Sequence, residues 1–107
     1  MKQRFRDIMV MGAKELLQFD FSARLAPGET LASVVSVAVS VSYGTDASPA
    51  GILNGAPYLS TDNLSVMVPV QTLTAGVSGV DYDIKVIAAT TNASKSPGCV
   101  GTLSVRY

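Results

Sequence analysis

An all-β antiparallel sandwich preceded by an extended N-terminal arm is the fold this sequence predicts. Apolar residues recur with a period of two through most of the chain beyond Glu15. Turn-forming clusters of Gly, Pro, Asn and Ser interrupt that alternation roughly every 8 to 15 residues. No stretch carries the 3.6-residue period of an amphipathic helix. At 107 residues the chain has one domain's length, enough to bury roughly two thirds of the surface its unfolded form exposes.

Residues 1–14, MKQRFRDIMVMGAK, hold Lys2, Arg4, Arg6 and Lys14, half of the eight basic residues, opposed there only by Asp7. Phe5, Ile8, Met9, Val10 and Met11 are interleaved with them. Neither a cap nor a clean period is present, so the segment is expected to be irregular, or a short helical turn, when alone. A sandwich domain is expected over 15–107. Leu17, Phe19 and Phe21 alternate with Gln18, Asp20 and Ser22, which puts the apolar set on one face of a strand. Pro27-Gly28 then supplies turn chemistry. From Leu31 to Tyr43 the run is rich in valine, with Val35, Val37, Val39, Val41 and Tyr43 on one expected face and Ser36, Ala38, Ser40 and Ser42 on the other.

Residues 44–57, GTDASPAGILNGAP, read as a loop enclosing at most a short strand at Ile52 and Leu53. A strand from about Leu64 places Val66, Val68 and Val70 together, and Pro69, lacking an N–H, predicts an edge position for its end. Tyr82, Ile84, Val86 and Ala88 alternate with Asp81, Asp83 and Lys85 in the next strand, and TTNASKSPG leads to a last strand over Val100 to Arg106. About six such strands point to an immunoglobulin-like sandwich, although the Cys…Trp…Cys trio of antibody domains is missing. Tyr82, at the start of the penultimate strand after a Gly-rich crossover, stands where a tyrosine corner would bond back to the loop; an ordinary core aromatic is the other reading.

Formal charge is zero, with eight basic and eight acidic residues. Such a balance gives no field for neutralising phosphates, so nucleic acid is not expected as a partner. No apolar stretch approaches the roughly 20 residues of a membrane helix, and no signal segment with an apolar centre opens the chain, so a soluble compartment is expected. Cys99 stands alone and fits a reducing cytoplasm, as a small hydrophobe at a strand start.

With no histidine, one cysteine and few carboxylates, most routes of acid–base and nucleophilic catalysis are closed, and no enzyme is expected. Asp81 and Asp83 project to one side of a strand, but Lys85 follows on that side and marks a solvated face. A calcium site joining them to Asp46 or Asp62 is the competing reading, and the spacing does not demand it. Gly76-Val77-Ser78-Gly79 lacks the Lys-Ser/Thr and the helix of a phosphate cradle, so no cofactor is expected. The arm has two readings: a solvated terminus, or a segment that orders on a partner through Lys2, Arg4, Phe5, Arg6, Ile8 and Met9. Its removal is then expected to leave the thermal transition nearly unchanged.

The stretch FDFSARLAPGETLAS resembles the start of a family of small bacteriophage proteins, the fibre–tail adaptor proteins. The family pattern is an aromatic-x-Asp-aromatic-Ser strand, a Leu, a Gly turn and then Asp/Glu-Thr-Ile/Leu-Ala-Ser/Thr. Phe19, Asp20, Phe21, Ser22, Leu25, Gly28, Glu29, Thr30, Leu31, Ala32 and Ser33 are set against those positions, with no residue between Phe19 and Asp20. Gly55 and Pro57 look like the family's Gly-x-Pro pair, and Gly76, Gly79, Tyr82 and Ile84 are similar to its signature entering the next-to-last strand. The family often has Trp where Phe21 stands and a Lys-Asp-Pro start where this chain has VMGAKE, and its middle loop is shorter than that around Ser48 and Pro49.

The resemblance covers residues 15–107 in order. It implies a virion protein, assembled in the bacterial cytoplasm and present in several copies at the tail, neck or baseplate, that links a fibre or appendage to the tail. Its partners would be other virion proteins. A capsid decoration protein is the nearest alternative. A carbohydrate-binding module is a more distant one, for which only Tyr43, Tyr58, Tyr82 and Tyr107 are available as stacking tyrosines.

Overall fold

The alternation over residues 80–90 becomes a strand with one dry face. In a computed structural model of the chain, which describes residues 2–4, 9–10, 14–45, 49–71 and 79–106, Val80, Tyr82, Ile84, Val86, Ala88 and Thr90 are buried. Asp81, Asp83, Lys85, Ile87 and Ala89 take the more open face. The described strands are β1 (Lys2–Arg4), β2 (Met9–Val10), β3 (Lys14–Asp20), β4 (Leu31–Tyr43), β5 (Tyr58–Leu59), β6 (Ser65–Gln71), β7 (Val80–Thr90) and β8 (Gly98–Arg106).

They form two sheets. In the larger, β7 pairs antiparallel with β4 on one side and β8 on the other, and β1 and β2 run parallel along the far side of β8. In the smaller, β6 lies between β3 and β5, all antiparallel. This is the all-β sandwich that the sequence predicts. Leu17, Phe19 and Phe21 from the β3 segment and Val66, Val68 and Val70 from β6 share one core with the dry face of β7 and with Cys99, Leu103 and Val105 of β8. Tyr82 is completely buried there, while the crossover to which a tyrosine corner would bond, residues 72–78, lies outside the described residues.

Several local expectations change. On β4, Val35 and Tyr43 are 57% and 68% exposed, whereas Val37, Val39 and Val41 turn inward. Register shifts between Val34 and Ser36 and between Val41 and Tyr43 are the cause. Each inserts a residue and reverses which side chains face the core. Gly44 closes the strand at φ +91°, where a Cβ would stand 2.9 Å from the Gly79 carbonyl oxygen, so the approach of the two turns requires glycine.

Pro69 lies on the central strand of the smaller sheet, not on an edge strand. It is tolerated because β5 pairs only with Val66 and Met67 and has ended by that point. The Pro69 carbonyl accepts from Asn54 N–H at 2.9 Å, so the proline nitrogen faces the same thinly paired side. The short strand expected at Ile52 and Leu53 is a 3₁₀ turn over Pro49–Ile52 followed by a single bridge, Leu53 to Val70.

Replacing Phe19, fully buried, with alanine is expected to lower the unfolding free energy by about 3–5 kcal/mol. Leu16→Ala, at a site 48% exposed on the same strand, is expected to change it by less than about 0.5 kcal/mol. Urea denaturation of both variants checks the facing of β3, and equal losses would show it to be wrong.

Candidate interaction surfaces

Two parts of the molecule are candidates for interaction. The first is the arm. Lys2, Gln3 and Arg4 stand in register with Val100, Gly101 and Thr102, and Met9 and Val10 with Val105 and Arg106. Between Arg4 and Met9 the arm advances five residues while β8 advances three. Phe5, Arg6 and Ile8 lie outside the described residues. The segment expected to be irregular is therefore strand where it is described, and it covers the edge that β8 would otherwise leave open. β3 begins at Lys14, which the sequence reading gave to the arm.

The second is one end of the sandwich, where three connections meet: residues 21–30 between β3 and β4, 60–64 between β5 and β6, and 91–97 between β7 and β8. Backbone bonds cross between them. Phe21 N–H donates to Leu64 O at 2.9 Å, Leu31 N–H to Asn63 O at 2.8 Å and Thr91 N–H to Thr30 O at 3.0 Å. Asp20 Oδ1 accepts from Ser22 N–H at 2.9 Å and starts the 3₁₀ turn Ser22–Arg24.

Glu29 anchors this end. Its Oε1 accepts from Lys95 Nζ at 2.6 Å and from Ala26 N–H at 2.9 Å, and its Oε2 accepts from Thr90 Oγ1 at 3.1 Å. The Glu29 side chain is only 8% exposed and that of Lys95 34%. The Lys95 ammonium, then the Ala26 N–H, hold the Glu29 carboxyl below the usual carboxylate range, against a smaller opposing effect of desolvation. In the neighbouring turn the Ser60 hydroxyl, followed by Leu64 N–H, lowers Asp62 in the same way. Asn63 takes a left-handed φ of 56° there, a conformation that asparagine tolerates. The exposed rim of this end is small and polar, including Ser22, Thr61, Asn63, Asn92 and Ser94.

Other sequence candidates separate. Asp83 accepts from Thr102 Oγ1 at 2.8 Å, and Asp81 and Asp83 share the outer face of β7 with exposed Lys85. Asp62 sits at the Leu31–Thr90 end of the sandwich. Nine strand residues separate Thr90 from Asp81, about 30 Å, so those carboxylates cannot share an ion. Asp46 lies outside the described residues, among which no three His, Cys, Asp or Glu side chains gather as a metal site.

Cys99 is buried and free, with its thiol pushed up by burial. Tyr43 and Tyr58 are exposed on different sheets and Tyr82 is in the core, so the described tyrosines do not build one stacking platform. Among the described residues no helix is long and apolar enough to cross a membrane. Comparisons of the chain with models of protein families, with curated proteins and with solved structures found no match.

Glu29 has a lower proton affinity folded than unfolded, so its stabilisation is fully present above the ordinary carboxylate range and is lost as pH falls through its folded value. Between neutral pH and about pH 3, Glu29→Gln is expected to lose fewer degrees of melting temperature than the parent chain. Equal losses would show that the Glu29–Lys95 tie does not contribute to folding.

Deleting residues 1–13 uncovers the β8 edge. Because the arm makes a ladder, this deletion is expected to lower stability by roughly 2 kcal/mol, on the order of 10 °C in melting temperature. An unchanged thermal transition would mean that the arm is not held on β8 in solution.

Proposed function

We propose that this chain is a structural virion protein of a bacteriophage, an adaptor that joins a fibre or other appendage to the tail, neck or baseplate through protein–protein contacts. The observation that carries the proposal is the role of the residues shared with the fibre–tail adaptor pattern. Glu29 receives Lys95 and Thr90, Thr30 O receives Thr91 N–H, and Leu31 N–H is given to Asn63 O. The Gly-Glu-Thr-Leu stretch thus ties three connections into one end, and Phe19 and Phe21 of the same pattern are fully buried beneath it. A tied, polar loop end on a sandwich is suited to docking, since few rotamers remain to be ordered when a partner binds.

The sandwich itself is proposed to be immunoglobulin-like. Supporting this, β3, β6 and β5 stand in the order of strands B, E and D of a constant-type domain, and β4, β7 and β8 in that of C, F and G. In this reading the loop end carries the B–C, D–E and F–G connections, the end used for recognition in many such domains. The protein would act in several copies, with assembly in the host cytoplasm.

Immunogold electron microscopy of particles from the source phage, with an antibody to this chain, tests the reading. Gold confined to the tail, neck or baseplate is the expected result. Gold spread over the shell would replace the adaptor with a capsid decoration protein, and its absence from intact and disrupted particles alike would overturn a virion role.

A further inference from the structure

We infer that the open edge of β4 is a self-association surface, on which a second copy of this chain adds its own β4 antiparallel across a two-fold axis at Ala38. This inference does not rest on the virion reading. Among the described residues β4 pairs only with β7. On its other flank the Leu31 N–H is taken by Asn63, and among the described residues no further backbone bond outside the β7 ladder is made by residues 32–43. The opposite margin of this sheet ends in β1 and β2, only three and two residues long, which leaves β4 as the long edge among the described strands.

An uncovered edge usually carries a device against pairing, such as a lysine, an inward charge or a proline. The 13 residues LASVVSVAVSVSY contain none of these. Register shifts do occur, but they lie towards the two ends, and Ser36–Val41 run against β7 without a break. The edge is therefore long, uncharged and regular at its centre.

Its sequence is also self-complementary. Val35-Ser36-Val37-Ala38-Val39-Ser40-Val41 reads the same in both directions. An isologous interface requires a surface that matches itself under a two-fold rotation. Antiparallel pairing centred on Ala38 sets Val37 against Val39 of the second copy and Ser36 against its Ser40, so each side chain meets its own kind without like charges opposed.

Burial points the same way. Tyr82, Ile84, Val86 and Ala88 on the neighbouring strand are fully buried, yet Val37, Val39 and Val41 are only half-buried on the flank of the same core. The Pro49–Ile52 turn and β5 already lie against β4, and a second copy would cover what they leave exposed. Thirteen residues at about 3.3 Å each extend ~43 Å, close to the 44 Å long axis of a molecule 22 Å across.

Sedimentation equilibrium of the full chain at concentrations up to on the order of 100 µM is expected to give twice the 11.1 kDa chain mass. The Ala38→Cys variant is expected to form a disulfide-linked dimer with oxidised glutathione, because residue 38 faces itself across the axis. Ser42→Cys should not, since the register separates the two copies of residue 42 by about 27 Å. The native Cys99 is buried and serves as the uncrosslinked background in the parent chain. A parent chain that stays monomeric over the whole range, or equal cross-linking of both variants, overturns the inference.

Discussion

A slip of one residue in β7 would carry Asp81, Asp83 and Lys85 into the core and push Tyr82, Ile84 and Val86 into water, and that constraint fixes the strands on either side. β8 is held in matching register, with Asp83 opposite Thr102 and bonded to it at 2.8 Å. β4 has to accommodate the same reference. From Leu31 to Tyr43 it advances twelve residues while β7 advances nine, and the surplus of three is taken up by the three register shifts. The bulges of β4 thus follow from fitting a longer strand to a neighbour whose register is already set.

The two margins of the larger sheet are consequently unlike. On the β8 side the chain supplies its own cover, as Lys2–Arg4 and Met9–Val10 run parallel to the last strand. Parallel pairing needs a connection that returns along the sheet; here the N-terminal segment and the C-terminal strand meet after the whole sandwich has intervened. On the β4 side nothing comparable stands among the described residues, and the inward valines remain half-exposed. Burial falls off from β7 to β4, whose outer side carries no paired strand among the described residues, although the Pro49–Ile52 turn and β5 lie against β4.

The long strands were legible in the sequence because period-two alternation reports burial directly. β6 and β7 keep that pattern without interruption, and their valines, Tyr82 and Ile84 are buried as the alternation requires. β4 was legible as a strand but not in its facing: a bulge at Val35 has no signature in a run where valine, serine and alanine all suit a pleated sheet. β1, β2 and β5 are 3, 2 and 2 residues long, too short for any period to declare itself. Their pairing is decided by the strands they meet. The Pro69 edge expectation caught the local chemistry, a side paired only thinly by Leu53 and Asn54, while missing that β6 as a whole is central.

The loop end was legible only as a pattern of residues, and its reason is electrostatic. A carboxylate that is 8% exposed must be matched by donors to be tolerated. Glu29 is matched by three, one from the Ala26 backbone of its own turn, one from Thr90 at the end of β7 and one from Lys95 in the following hairpin. A serine or threonine at this position would lack both the reach and the charge to serve Lys95 as well as the turn. Nothing in the spacing of Glu29 and Lys95, 66 residues apart, announces that they meet. They are joined by the sandwich topology, which brings the β3–β4 connection against the β7–β8 hairpin. The acidic residue of the Gly-Glu-Thr stretch is thus explained by architecture first, and any recognition at this end rests on loops already held in place by the fold.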